Sequence, residues 1–458
     1  VRLVEAPARP IRVEPLLPER ERPRVSESEQ PHARATARSR VLIVTPIACL
    51  LLALLFGLLA GLRTVIAPAA TALLPLQILQ PLHTLMSLSC IFSGIFALFV
   101  FAGEDVGARG IHASRRTFEV LLPAFIVLAA ASIITGYGSG KEYLTWAPAL
   151  TPLLVLLFVV GGVVFFRNAG AFARPAPEAA WLIGLGFVCM GFGLIEGNLC
   201  HVVSLVYARE LSFEWHAIDI VVAGWNASLY GFGIIISAHA GKPLRAPWLY
   251  ALAAFTFVST FGHHHYMSPQ PQTIKIIAVT ASMLAGLSFV RHIRASRGLR
   301  LSPPTGPAGP FLVAAEVWTI FAIGSGILFA IPQVNLIIHG TYGIVAHSMG
   351  AMIGINAMLV LGGLAFYIGA DPARARRVGV LVLVANAALL IMVLDLTFVG
   401  LVKGTLRLAR PQIDFETIIW RELIPLPLFG TVLAVATVLI CVELLRRDRG
   451  ARRVPRAA

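Results

Sequence analysis

Long apolar stretches separated by short polar connections run through the chain. A helix needs roughly 20 predominantly apolar residues to cross a bilayer. That test predicts twelve spans, at 41–62, 81–103, 118–137, 147–166, 179–206, 214–238, 248–267, 272–292, 309–331, 338–367, 376–402 and 424–446. No soluble domain and no internal repeat interrupts them. Residues 1–40 form an Arg-, Pro- and Glu-rich arm, expected to be disordered or surface-bound. Residues 447–458 form a basic tail. The first apolar run follows a long charged arm and is long enough to span, so it does not read as a cleavable signal peptide.

Composition supports an all-α, polytopic membrane protein: of 458 residues, 57% are apolar and 13% charged. The net charge of +14 does not point to nucleic acid, because the cations sit in the tails and in alternate loops. One side takes the N-terminal arm, Arg109, Arg115 and Arg116, Arg167 and Arg174, Lys242 and Arg245, Arg291 to Arg300, Arg374 to Arg377 and the C-terminus. The other takes Arg63, Lys141 and Arg209, then Lys403, Arg407, Arg410 and Arg421. The positive-inside rule makes both termini cytoplasmic, as an even number of spans requires, in a bacterial inner membrane. The five cysteines form no C-x-x-C or C-x-x-C-H pattern, which argues against a zinc ribbon or an attached c-type heme.

With directions assigned, depth can be read. His83 falls near the outer end of span 2, and His216 and Asp219 in the outer part of span 6. His263, His264 and His265 close span 7, and His339 and His347 lie outward in span 10. Ionisable groups within a membrane cost roughly 2.5–3.5 kcal/mol each and are usually functional. A single interfacial histidine, such as His201 or His239, reads as a hydrogen-bonding residue. Four helices sending imidazole or carboxylate to one depth read as a shared metal or heme site.

Two local patterns sharpen this. His347 and Met349 stand two residues apart, about 200° around a helix, so one helix could serve a cofactor on each side. Both residue types are familiar axial heme ligands. His263 and His264 are adjacent, about 100° apart, and reach one metal only where a helix end relaxes; Pro269 and Pro271 supply such an end.

At these residues the sequence resembles the large catalytic subunit of bacterial nitric oxide reductase, within the heme-copper oxidase superfamily. "GHHHYMSPQP" is similar to that family's Gly-His-His segment with its following aromatics and proline. "IPQVNLIIHGTYGIVAHSMG" is similar to its Pro-Gln, His-Gly-Thr and Ala-His-x-His run. The resemblance implies a heme-copper oxidase subunit I-like bundle with two hemes b. His347 would be the proximal ligand of a high-spin heme, and His83 and Met349 the ligands of a low-spin heme. His263, His264 and a third ligand would hold a non-heme metal, iron or alternatively copper. Met349 replaces the family's second low-spin histidine and implies a higher potential, hence an oxidising donor such as a cytochrome c or copper protein, with quinol also open. Asp219 matches the third metal-ligand position, with His216 one turn earlier as the alternative. Heme propionates would face the outer cations Arg407, Arg410 and Arg421, with His339 nearby.

Oxygen reductases of this superfamily use a tyrosine cross-linked to a metal-binding histidine. Here the matching positions hold Ala223 and Phe257. That favours reduction of NO over O2, with an oxygen reductase as the alternative and a heme or metal transporter behind it. The family's active-site Glu aligns with Ala223, which leaves Glu196, Glu316 and Asp395 as candidate proton relays.

Overall fold

The structure is a computed structural model. The chain divides into two units, Val1–Ala37 and Arg38–Ala458. Described residues are 38–65, 75–141, 143–202, 216–242, 271–304, 306–369, 372–409, 419 and 421–446. The arm at 1–37, the expected span at 248–267 with His263, His264 and His265, Arg410 and the tail from 447 lie outside them.

Among the described residues, 11 helices are long and apolar enough to cross a membrane. They are α1 (Arg40–Val65), α2 (Leu76–Asp105), α3 (Ile111–Ile134), α4 (Thr151–Arg167), α5 (Pro177–Leu199), α6 (Ala217–His239), α7 (Gln272–Ala295), α8 (Gly309–Phe329), α9 (Tyr342–Ile368), α10 (Pro372–Ala409) and α11 (Pro425–Leu445). Each answers to an expected span. Proline opens the first turn of α4, α5, α8 and α11, where its missing N–H costs nothing. Gly369, at φ 67°, ends α9 in the left-handed conformation open to glycine.

Burial divides the helices into inner and outer sets. The apolar windows of α2, α6 and α9 are 94%, 83% and 72% buried within the protein. Peripheral α3 instead exposes Val120, Val127, Leu128 and Ile134, as a helix bathed in lipid can. Small residues bring the inner helices close. Gly94 on α2 faces Val360 on α9, and Gly363 on α9 faces Leu98, with no room for a Cβ in either place. Gly186 and Gly193 of α5 and Gly224 and Gly231 of α6 abut the partner helix in the same way.

Polar ties fasten one face of the bundle. Arg38 lies between Phe101 and Tyr367, 5.2 Å from each ring centroid, and bonds Glu104 at 3.1 Å and Asp105 at 2.5 Å. Arg115 joins Glu104 at 3.1 Å. Asn168 pairs with the Arg109 backbone at 2.8 and 3.0 Å. Arg377 meets Glu443 at 3.5 Å. These contacts gather the starts of α1, α3 and α10 and the ends of α2, α4, α9 and α11. They are the ends that carry the cation-rich loops of the sequence, so the alternation read from Lys and Arg is built into the packing.

Candidate functional site

Of the candidate histidines, His83, His216, His339 and His347 are among the described residues and lie in the opposite half. His83 sits on α2 with Nδ1 2.8 Å from the Ala53 carbonyl of α1. A carbonyl only accepts, so Nδ1 carries the proton and Nε2 keeps its lone pair. The ring rests against Gly57, where a Cβ would come within 2.8 Å of Cε1 and Nδ1. Gly57 is therefore the seat of this imidazole.

His347 on α9 is held in the same manner. Its Nδ1 lies 2.9 Å from Ser325 Oγ on α8. The Ser325 hydroxyl donates to the Phe321 carbonyl at 2.9 Å, so it accepts from the imidazole N–H and leaves the lone pair on Nε2. The ring lies 5.7 Å from Phe329, and Gly326 leaves it space. Metal-bound histidines are oriented by such a bond to the other ring nitrogen. Both imidazoles thus fit axial ligation of a heme.

Met349 and His83 lie towards the same ends of their helices. Both α2 and α9 end at the cation-rich face, where Phe101 and Tyr367 lie 5.8 Å apart, so the two helices run parallel. They touch at Gly94 and Val360. His83 precedes Gly94 by eleven residues, roughly 16 Å of α-helix, and Met349 precedes Val360 by the same number of residues. Immediately after Met349 the helix widens into a π segment, Gly350–Ala357. Trp318 of α8 packs against Gly350 and Gly354 there and donates from Nε1 to Asn386 at 2.7 Å. Such segments are rare and recur at functional sites.

His216 directly precedes α6, and its Nδ1 lies 2.7 Å from Glu196 Oε1 at the end of α5. Asp219 is one turn further on, inside α6. Among the described residues no three His, Cys, Asp or Glu side chains form a metal cage; His263 and His264 lie outside those residues. His339 falls in the turn before α9, which starts at Tyr342 rather than at 338. Arg407 donates to the Leu336 carbonyl at 3.1 Å, next to His339, and Lys403 sits 5.0 Å over the Tyr342 ring. Arg421 is exposed, before α11. His239 bonds the Ile235 carbonyl at 2.8 Å, as a helix-end histidine does.

Ser325 and the Ala53 carbonyl escape a reading of sequence. Serine that bonds back to its own helix carries no distinguishing signal, and a backbone carbonyl carries none at all.

Residues 39–436 match the family model "Cytochrome C and Quinol oxidase polypeptide I". The chain is 22% identical to a nitric oxide reductase subunit of Stutzerimonas stutzeri over 346 residues, covering 67% of this chain and 70% of the relative. It is also 22% identical to the cbb3-type cytochrome c oxidase subunit CcoN1 of the same organism over 319 residues, covering 62% and 65%. Its fold is similar to a heme-copper terminal oxidase dimer solved by cryo-EM, with TM-score 0.63, 15% identity, and 88% and 83% coverage. Fold and matched length define the class, an all-helical membrane oxidoreductase with a subunit I bundle. The chain belongs to the cytochrome c and quinol oxidase polypeptide I family, the heme-copper oxidase superfamily. Its members bind hemes and a non-heme metal, copper or iron, and reduce small gaseous substrates with electrons from cytochrome c or quinol.

Proposed function

We propose that this chain is a nitric oxide reductase, converting two NO, two electrons and two protons into N2O and water. The observation that carries the reading is on α6. By the family resemblance, the cross-linked tyrosine of an oxygen reductase would match Ala223, buried on α6, or Phe257, which lies outside the described residues. The tyrosine of that helix, Tyr230, lies seven residues deeper, and its hydroxyl is bonded to Thr319 of α8. Splitting O2 takes four electrons at once, whereas coupling two NO takes two, so the missing tyrosine matters to only one of the reactions.

His83 and Met349 are assigned to a low-spin heme b, His347 to a high-spin heme b, and His263, His264 and Asp219 to a non-heme metal, iron or alternatively copper. When bound, these groups carry the electrons and hold both NO molecules. The chain does the rest. The Ala53 carbonyl and Ser325 fix the tautomer and direction of the two imidazoles. Phe329 and Gly326 border His347 with apolar surface. A second reading of the metal site has its own support. Glu196 holds His216 by Nδ1, the arrangement of a carboxylate behind a metal-binding histidine, which favours His216 over Asp219 as third ligand. His339, Arg407, Arg410 and Arg421 are assigned to heme propionates, since arginine pairs well with carboxylates. Electrons are drawn from a cytochrome c, a copper protein or quinol, at a bacterial inner membrane with both termini cytoplasmic.

The test is anaerobic turnover of the purified, reduced protein, with N2O detected from NO and O2 uptake measured in parallel. N2O formation with little O2 consumption is expected. Rapid O2 uptake without N2O would assign the chain to oxygen reduction instead, alongside its cbb3-type relative.

A further inference from the structure

His347 and Met349 stand on the last turn of ordinary α-helix before the π segment Gly350–Ala357. Ser325 steers His347 through a hydrogen bond. A thioether is only a weak acceptor, so the heading of Met349 is left to the backbone. There the phase of the helix decides. Eleven residues of α-helix make about three turns and 20°. In an unbroken α-helix Met349 would therefore head almost the same way as Val360, along the line that meets Gly94 of α2. An i→i+5 turn holds one residue more than an i→i+4 turn. A single such turn rotates the residues before it by about 100° relative to those after it. The π segment thus turns Met349 aside from the α2–α9 contact line.

Two side chains bracket that segment. The indole of Trp318, buried on α8, lies across Gly350 and Gly354. A Cβ on Gly350 would come within 3.1 Å of the ring, and one on Gly354 would enter it. The Trp318 Nε1–H donates to Asn386 Oδ1 of α10 at 2.7 Å. The other end of that amide donates to the Val382 carbonyl at 2.7 Å and lies 3.6 Å from the Met358 sulfur. Met358 is the first α-helical residue past the segment. The pair therefore grips the π segment at its first residue, in its middle and at its exit. An amide in a membrane-spanning helix is costly unless bonded, and Asn386 stands beside the exposed Leu383 and Val384. Trp318 precedes Ser325 by seven residues, on the same face of α8. One face of α8 thus steers His347 by a hydrogen bond and reaches Met349 through the backbone of α9.

We propose that Trp318, anchored by Asn386, is the positioning residue of Met349: the pair keeps Gly350–Ala357 in its π form and so sets the direction in which the thioether is presented to the low-spin site. Without the wedge the segment relaxes towards ordinary α-helix. Met349 then swings back to the Gly94 line, while His347 stays tied to Ser325. The inference rests on the assignment of His83 and Met349 to the low-spin heme, and not on the choice between NO and O2.

The experiment compares Trp318→Leu, Trp318→Phe and Asn386→Ala with the unaltered, heme-loaded protein and with Met349→Leu. Three things are read: total heme per polypeptide, the low-spin share of it by electron paramagnetic resonance, and the red charge-transfer band by which a ferric heme reports methionine ligation. Expected for Trp318→Leu and Asn386→Ala are undiminished total heme, a low-spin share lowered at least twofold and a methionine band that falls with it. Trp318→Phe keeps most of the wedge but not the N–H and should fall between these and the unaltered protein. A merely structural tie would lower both hemes in step. Loss in step from folded protein, or a methionine band that Met349→Leu abolishes but Trp318→Leu and Asn386→Ala leave intact, overturns the proposal alone. Should Trp318→Leu fail to fold, Trp318→Phe and Asn386→Ala decide by the same criterion. Unaltered protein whose low-spin heme lacks the methionine band would take down the Met349 assignment and this proposal together.

Discussion

Ser325 and His347 join α8 to α9 through a 2.9 Å hydrogen bond in which the imidazole Nδ1–H donates and the serine oxygen accepts. The serine is fixed in that role because its own proton goes to the Phe321 carbonyl. One hydroxyl thus sets both the tautomer and the heading of the histidine assigned to the high-spin heme.

Ser325→Ala removes that acceptor and frees the ring to rotate. Loss of a partner of this kind costs about 10–100-fold in metal affinity or activity. The expected result is protein that retains its helix content but loses heme on dilution, while Ser325→Thr keeps it. Heme per polypeptide after size-exclusion chromatography measures this. Full heme retention in Ser325→Ala would mean that packing against Phe329 and Gly326, not the hydrogen bond, holds the ring.

Met349 and His83 stand on parallel helices, each eleven residues before the Gly94–Val360 contact. A His/Met heme has a higher potential than a bis-His one. Met349→His should therefore keep a six-coordinate low-spin heme and lower its midpoint potential, and Met349→Leu should convert the low-spin spectrum to a high-spin one. A redox titration followed by absorbance reads both. No spectral change in Met349→Leu would remove Met349 from the ligand set.

How far the chain could be read before folding depended on the range of the signal. Helix positions were legible because membrane burial leaves its mark on each segment alone: roughly 20 apolar residues suffice, whatever their neighbours. Thus α7 and α8 begin at the expected residues, Gln272 and Gly309. Boundaries drifted where the apolar run and the hydrogen-bonded helix are different things. α3 starts at Ile111 although its first turns carry Arg115 and Arg116, and α9 starts at Tyr342 because Thr341 caps it by accepting from the Gly343 N–H. The depth of His83, His216 and His347 followed from loop charge. Their partners did not, since Ala53, Ser325 and Glu196 are brought to them by tertiary packing. The π segment after Met349 is equally silent in sequence; the notch that Trp318 needs explains it only once α8 is in place.

The α2–α9 contact depends on glycine. A Cβ on Gly94 would collide with the Val360 side chain, and one on Gly363 with Leu98. Overpacking of this kind costs ~1–3 kcal/mol. Gly94→Ala should lower the melting temperature in detergent, and Val360→Ala placed on top of it should restore part of the loss. The low-spin heme spectrum should weaken in parallel, because the same contact joins the helices that carry His83 and Met349. An unshifted melt in Gly94→Ala would show that the helices separate without cost.

The pairing of Glu196 with His216 makes the third metal ligand testable. If Asp219 binds the metal, Asp219→Asn lowers metal per heme while His216→Ala leaves it nearly intact. If His216 binds, His216→Ala empties the site, and Glu196→Ala weakens it about 10–100-fold by releasing Nδ1 from its carboxylate. Glu196→Gln separates charge from shape: an amide oxygen still accepts from the Nδ1–H but no longer makes the ring more basic. The measurement is non-heme iron and copper per polypeptide by elemental analysis, with heme content as the internal control for folding. Metal loss confined to Asp219→Asn assigns the carboxylate, and a mixed-donor set of that kind suits iron better than copper. Metal loss in both His216→Ala and Glu196→Ala, with Asp219→Asn unaffected, assigns the histidine and makes Glu196 its positioning residue.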